Sequence, residues 1–432
     1  MKRLICCFVT ALVLLGCSQD RSSVLKVYNW ADYIDEDLLD EFEDWYFQQT
    51  GEKVSIIYQT FDINETMLSK IELGHEDYDV VCPSDYIIER MLRNDLLLPI
   101  KRDFGDTPDY IGCVAPYISE KFSEIEGSGK DARDYSVGYM WGTVGLIYNS
   151  KYVSDDKASS WEVLRDPSVR GKVLMKDAFR DVYTSLLTAL NKERLDSGII
   201  SLKEVAFDTS DESIALVENY LNSFKESICG WEADFGKEQM TKELAWLNLS
   251  WSGDAQWAIE EAAEMGIDLR YSIPSEGSAV WFDGWVIPKY ARNAKAASYF
   301  INFMCMPENA LRNMDMTGYV SAVGGREILE AMSDSTEYEP IDASYFFGEE
   351  GTQACVNPIM YPSHSAIKRC SMLHDTDTEA LLKMWSRVKG ANASAFTYII
   401  IGLVLGGLIA AVAIKYYRKS HRRTKYRRKT RR

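Results

Sequence analysis

Apolar and polar residues alternate along residues 24–30, Val-Leu-Lys-Val-Tyr-Asn-Trp, which predicts a first strand. The period then changes. Leu38, Leu39, Phe42, Trp45 and Tyr46 recur at helical spacing within residues 35–50, acids crowd the first turn, and Gly51 supplies the stop. Residues 54–58 and 78–82 repeat the strand pattern, and residues 65–73 and 87–93 the helical one. This strand–helix rhythm predicts an α/β fold with a parallel sheet, whose ligands lie beyond the carboxyl ends of the strands. Trp30 and Ser84 fall just past such ends. Residues 135–148, with Gly138, Gly142 and Gly145 among aromatics, read as an extended crossing segment. Further strands are expected at residues 171–175 and 247–251, and helices at 181–191, 253–265, 295–304 and 378–387.

The two ends of the chain follow other rules. Met1-Lys-Arg and a short apolar run, residues 4–15, read as an export signal. The run ends Leu14-Leu15-Gly16-Cys17, which resembles a bacterial lipoprotein cleavage box and implies lipidation of Cys17. Residues 18–23 are a polar tether. Residues 390–414 carry no charge, and residues 396–414 are apolar and long enough to span a bilayer. Eleven Lys and Arg follow between Lys415 and Arg432, which orients that tail to the cytoplasm and the body outside.

Composition sharpens the picture. The net charge is −17, but the basic residues of the two ends hide a body with 35 basic against 65 acidic residues. Such a body repels nucleic acid and attracts cations. None of the nine cysteines has metal-finger spacing. Export permits disulfides, and Cys355 with Cys370 is the closest pair, but buried free thiols fit as well. No HExxH, Walker A or GxSxG motif is present. No enzyme chemistry is therefore expected, and no cofactor.

The candidate chemistry is a recurrent pairing of aromatic and carboxylate. It appears in Trp281-Phe-Asp283-Gly-Trp285, Trp30-Ala-Asp32-Tyr33, Ser84-Asp85-Tyr86 and Trp251-Ser-Gly-Asp254. Asp177 and Asp181 stand at the end of a strand and in the helix after it. An ammonium has donors and no acceptor, so it needs several carboxylates. Its methylene chain needs apolar faces, and Trp and Tyr add cation–π attraction. A di- or triamine matches that inventory. A sugar would not need so many acids, and a metal ion would not need the tryptophans.

These segments, with Phe61-Asp-Ile-Asn-Glu-Thr-Met67 and Thr317-Gly-Tyr319, resemble the spermidine/putrescine-binding proteins of bacterial ABC transporters over residues 24–390. The resemblance implies a two-lobed periplasmic-binding fold, hinged at crossing strands, that delivers a polyamine to an ABC permease. Carried over by position, Trp30, Asp32, Tyr33, Ser84, Tyr86, Asp177, Asp181, Trp251, Asp254, Trp281, Asp283 and Tyr319 are the expected ligand residues. Asp85 joins them on the reading of the residues alone. The expected organisation is a signal at 1–16, a tether at 17–23, a first lobe of 24–136 and 281–327, and a second of 137–280 and 328–389. A transmembrane helix at 396–414 and a basic tail at 415–432 complete it. The same fold holding another cationic or metal solute, or a polyamine-sensing ectodomain, is the alternative. The membrane helix departs from the family, whose members are usually free in the periplasm or held by lipid alone.

Overall fold

The computed structural model describes residues 21–233 and 235–390. The expected signal, Cys17, the apolar segment 396–414 and the basic tail lie outside the described residues. Among the described residues no helix is long and apolar enough to cross a membrane. Residues 21–23 of the expected tether dock onto the body, where Arg21 reaches Asp77 and Asp79 at 2.8 Å each.

The alternating run at the start forms β1 (Val24–Trp30), which pairs in parallel with β2 (Ser55–Phe61) and β3 (Val80–Val81). The helices between them, α1 (Asp37–Thr50) and α2 (Asn64–Glu72), bury their apolar stripes; α3 (Asp85–Arg93) follows β3. α1 ends where Gly51 adopts a left-handed φ of 71° and its N–H bonds the Phe47 carbonyl. A short strand, β4 (Leu97–Leu98), completes this part.

Two long strands then run through the whole molecule. β5 (Ser136–Asn149) is buried at every position, as is β10 (Ser278–Pro288), and the two are antiparallel. Beyond the crossing stand β6 (Val173–Lys176), β7 (Ile228–Glu232), β8 (Leu247–Trp251) and β9 (Leu269–Ser272). The main path through the sheet is β2-β1-β3-β10-β5-β8-β6-β7, with β9, β11 (Val320–Ser321) and β12 (Cys370–Met372) on its flanks. Helices α4 (Phe179–Leu190) and α5 (Ser252–Glu264) follow β6 and β8. α6 (Thr378–Gly390) ends the described chain.

Two large cores define the two lobes. In β5, Met140 and Trp141 belong to the first core and Val144 and Leu146 to the second. In β10, Phe282 belongs to the first and its neighbour Trp281 to the second. The chain therefore passes between lobes near Gly142 in β5, not at residues 136 and 137, while β10 faces both cores in turn, Ala279 and Trp281 the second and Val280 and Phe282 the first. The expected placing of 328–389 wholly in the second lobe also differs from the packing. Ile328, Phe346, Tyr361 and Met372 join the first core, where Phe346 stacks on Trp141 at 5.5 Å, and Leu373, Leu381, Met384, Trp385 and Val388 join the second. Apolar residues without helical or strand period hid that division.

Between these cores, residues 373–378 form a strap. Arg90 and Arg93 of α3 both donate to Asp375, and Arg180 of α4 donates to Thr376 at 3.2 Å. Among the described residues all six cysteines, Cys355 and Cys370 included, are free thiols.

A candidate binding site between the lobes

The site is built where β10 crosses. Its register against β5 shifts between Asp283 and Gly284. That irregularity sets Asp283 opposite Ser84, at the start of α3, in an isolated antiparallel bridge. Ser84 donates its hydroxyl to Asp283 Oδ1 at 2.7 Å, and Tyr33 donates to Oδ2 at 2.9 Å. Among the described residues no cation forms an ion pair with this buried carboxylate. Burial pushes its pKa up to about 7, against the lowering pull of the Ser84 and Tyr33 hydroxyls, and the charge of nearby Asp181 adds to the rise.

Aromatic rings surround this acid. Tyr33 meets Tyr319 edge to face at 5.7 Å, and Tyr319 meets Trp281 in the same way at 5.4 Å. Trp281 can approach β5 closely because residue 142 is glycine; a Cβ there would stand 2.7 Å from the indole and from Ser252 Oγ. Trp30 is half-buried against Phe61 at 4.4 Å. Ser84 and Tyr86 are held by Asn64, whose amide donates to both hydroxyls at 3.0 and 3.1 Å. The Tyr86 hydroxyl faces Glu65 at 3.4 Å, and the Arg180 guanidinium covers its ring at 4.5 Å.

The second lobe contributes Asp181, Trp251 and Asp254. Trp251 donates its indole N–H to Asp181 Oδ1 at 2.9 Å. Burial raises the Asp181 pKa, partly offset by that bond and by the charges of Lys176 and Arg180. Asp254 is differently placed. Lys176 donates to its Oδ2 at 2.6 Å, Tyr319 to its Oδ1 at 3.0 Å, and Lys237 stands 3.5 Å away. Burial alone would raise the Asp254 pKa, but Lys176 and Lys237 hold it below the usual carboxylate value. The Tyr319–Asp254 bond joins the two lobes directly.

Three expected residues are placed otherwise. Asp85 is buried, and its carboxylate accepts from the Tyr86 N–H at 2.8 Å and the Phe282 N–H at 3.2 Å. It fastens α3 to β10, and burial lifts its pKa well above the ordinary range. Asp177 is exposed and ties the end of β6 to α6, accepting from Trp385 at 2.8 Å and Lys389 at 2.5 Å. Asp32 is exposed in a left-handed turn, φ 50°. Of the remaining expected residues, Tyr33, Ser84, Asp283, Tyr319, Trp281 and Asp254 are joined by hydrogen bonds and ring contacts, Tyr86 is tied to Ser84 through Asn64, Trp251 links Asp181 to Lys176 beside Asp254, and Trp30 packs on Phe61.

Sequence reasoning missed Asn64, Glu65, Lys176 and Arg180. Asn64 and Glu65 lay inside a quoted segment without being singled out. Lys176 carried a signal of its own, a charged residue closing an otherwise apolar strand. Among the described residues no cluster of three or more His, Cys, Asp or Glu is poised to hold a metal ion.

Comparison with known proteins supplies a frame for this geometry. The family model described as bacterial extracellular solute-binding protein matches residues 37–335. The spermidine/putrescine-binding periplasmic protein of Escherichia coli is 26% identical over 341 residues, covering 78% of this chain and 89% of that protein. The putrescine-binding periplasmic protein PotF of the same organism is 28% identical over 332 residues, covering 72% and 80%. Among solved structures, the spermidine/putrescine ABC transporter substrate-binding protein PotD of Streptococcus pneumoniae superposes with a TM-score of 0.64. It is 28% identical, and the match covers 85% of this chain and 99% of that one.

Proposed function

Starting from a chain that belongs to the bacterial extracellular solute-binding proteins, we propose that it binds a polyamine in the cleft and presents it to an ABC permease. The observation that carries this reading is Asp283. It is a buried carboxylate held, among the described residues, by the Tyr33 and Ser84 hydroxyls, and ringed by Tyr33, Tyr319 and Trp281. A buried charge needs a counter-charge. An ammonium supplies one, and its methylene chain suits the aromatic faces around it. The polyamine names of the relatives agree with that chemistry. An enzyme is not the reading, because the family is one of binders.

The ligand set is the group that meets in the cleft, with Asp283, Tyr33, Ser84, Trp281 and Tyr319 nearest the ammonium and Asp181 contributing its field. Asp85 acts as a brace, and Asp177 as part of the α6 attachment. Binding favours the closed state because contacts come from both lobes, and the Tyr319–Asp254 bond is made only when they meet. The crossing strands β5 and β10 and the strap 373–378 are the hinge. The protein works outside the cytoplasmic membrane, held there by lipid at Cys17, by the apolar segment 396–414, or by both. The basic tail, residues 415–432, would then rest on anionic lipid.

The test is calorimetric titration of the full-length chain with putrescine, spermidine and cadaverine, after unfolding and refolding to strip co-purified ligand. Binding at micromolar concentration or tighter is expected for at least one amine. Absence of heat with all of them refutes the reading.

A further inference from the structure

We propose that Lys176 is a specificity-determining residue: its ammonium fills the second-lobe cage of carboxylates and tryptophan, so the cleft favours a diamine over a triamine. The inference rests on the polyamine reading and narrows it. Lys176 ends β6, and its side chain is almost wholly buried. Its Nζ lies 2.6 Å from Asp254, 3.3 Å from Glu232 and 4.2 Å from the centre of a Trp251 ring. Carboxylates plus an indole face are what a ligand ammonium would require. Here the chain provides the ammonium itself.

The aromatic path explains why this matters for the ligand. Tyr33 bonds Asp283, stacks edge-on to Tyr319, and Tyr319 bonds Asp254. An amine pinned at Asp283 that extends along these rings arrives at Asp254. That carboxylate already faces Lys176 at 2.6 Å and Lys237 at 3.5 Å. A further ammonium there would meet like charges at short range in a site with little water, where repulsion is strong. A ligand with fewer charges escapes the penalty. Lys176 also has a structural role, since Glu232 accepts from the Gly236 N–H at 3.0 Å and from Asn248 at 3.2 Å beside it. The measurement must therefore separate selectivity from stability.

The separating quantity is the ratio of the spermidine and putrescine dissociation constants, measured by calorimetry on the full-length chain. The unaltered protein is expected to bind putrescine more tightly. Lys176→Met keeps the length and apolar stem but removes the charge. It is expected to move the ratio about tenfold or more toward spermidine. Lys237→Met, at a more exposed position on the same carboxylate, is expected to move it less and in the same direction, and tests the idea even if Lys176→Met does not fold. A ratio that stays within about twofold in every variant that folds overturns the inference and leaves the polyamine reading standing. A chain that binds neither amine refutes both.

Discussion

Replacing Asp283 by Asn should make the empty protein more stable and a worse binder at once. The buried carboxylate titrates near pH 7 instead of at its ordinary 3.8, a rise of about three units. At 1.36 kcal/mol per unit, ionised Asp283 costs the folded state about 4 kcal/mol. The sign follows from linkage. Between pH 4 and 7 the folded protein holds a proton on Asp283 that the unfolded chain has released, so this residue's contribution to stability is largest below pH 4. It declines as pH rises through 7 and is level above that. Asn retains the shape and can accept from Ser84, but carries no charge. Denaturant melts of the full-length wild type and Asp283→Asn, compared at pH 4 and pH 8, isolate the effect from other titrating groups. The variant should gain up to about 4 kcal/mol relative to wild type on going from the lower to the higher pH. Polyamine affinity of wild type should rise from pH 6 to pH 8, by up to about tenfold per unit below pH 7, and Asn should abolish most of it. Equal stability differences at both pH values, or a variant that binds as well as wild type, would refute the argument that this charge waits for a ligand.

Other outcomes follow from the same geometry. Tyr319→Phe removes the bond to Asp254 between the lobes; a hydrogen bond to a charged group contributes about 1.5–3 kcal/mol, so ligand release measured by stopped-flow should quicken about tenfold or more. Gly253→Ala places a Cβ 2.4 Å from the Tyr319 ring. Overpacking of that kind costs about 1–3 kcal/mol, and small-angle scattering with saturating amine should show a more open average shape than wild type. Cys17→Ser should abolish incorporation of radiolabelled fatty acid in cells; unchanged labelling would end the lipoprotein reading.

Much of the fold was legible because it is periodic. β1 occupies the residues that alternation assigned, and α1 and α3 lie within two residues of expectation. β10 was harder to read. Its apolar residues run without alternation, since both faces are buried, and Trp281–Trp285 lies in the middle of the strand. At the site, Asp283 and its aromatics were recognisable from local composition, as was Tyr319 from its family segment. The partners of each acid were not. Asp85, Asp177 and Asp254 all read as carboxylates awaiting a cation, yet one binds backbone N–H groups and the others meet lysines. Apart from the adjacent Tyr86 N–H on Asp85, those partners are remote in sequence, and a charge beside an aromatic does not reveal whether the chain already neutralises it.

The alternation of β10 between the two cores over residues 279–282 has a mechanical corollary. Ala279 and Trp281 are clamped in one body and Val280 and Phe282 in the other, so the pivot of any rotation passes close to this stretch of strand, and Asp283 directly follows it. Displacement grows with distance from an axis. The outer rims of the lobes can sweep far while Asp283, Tyr33 and Ser84 keep their spacing. The ammonium berth is thus near stationary, like the hub of a wheel, and an arriving amine would find it assembled before the jaws have moved.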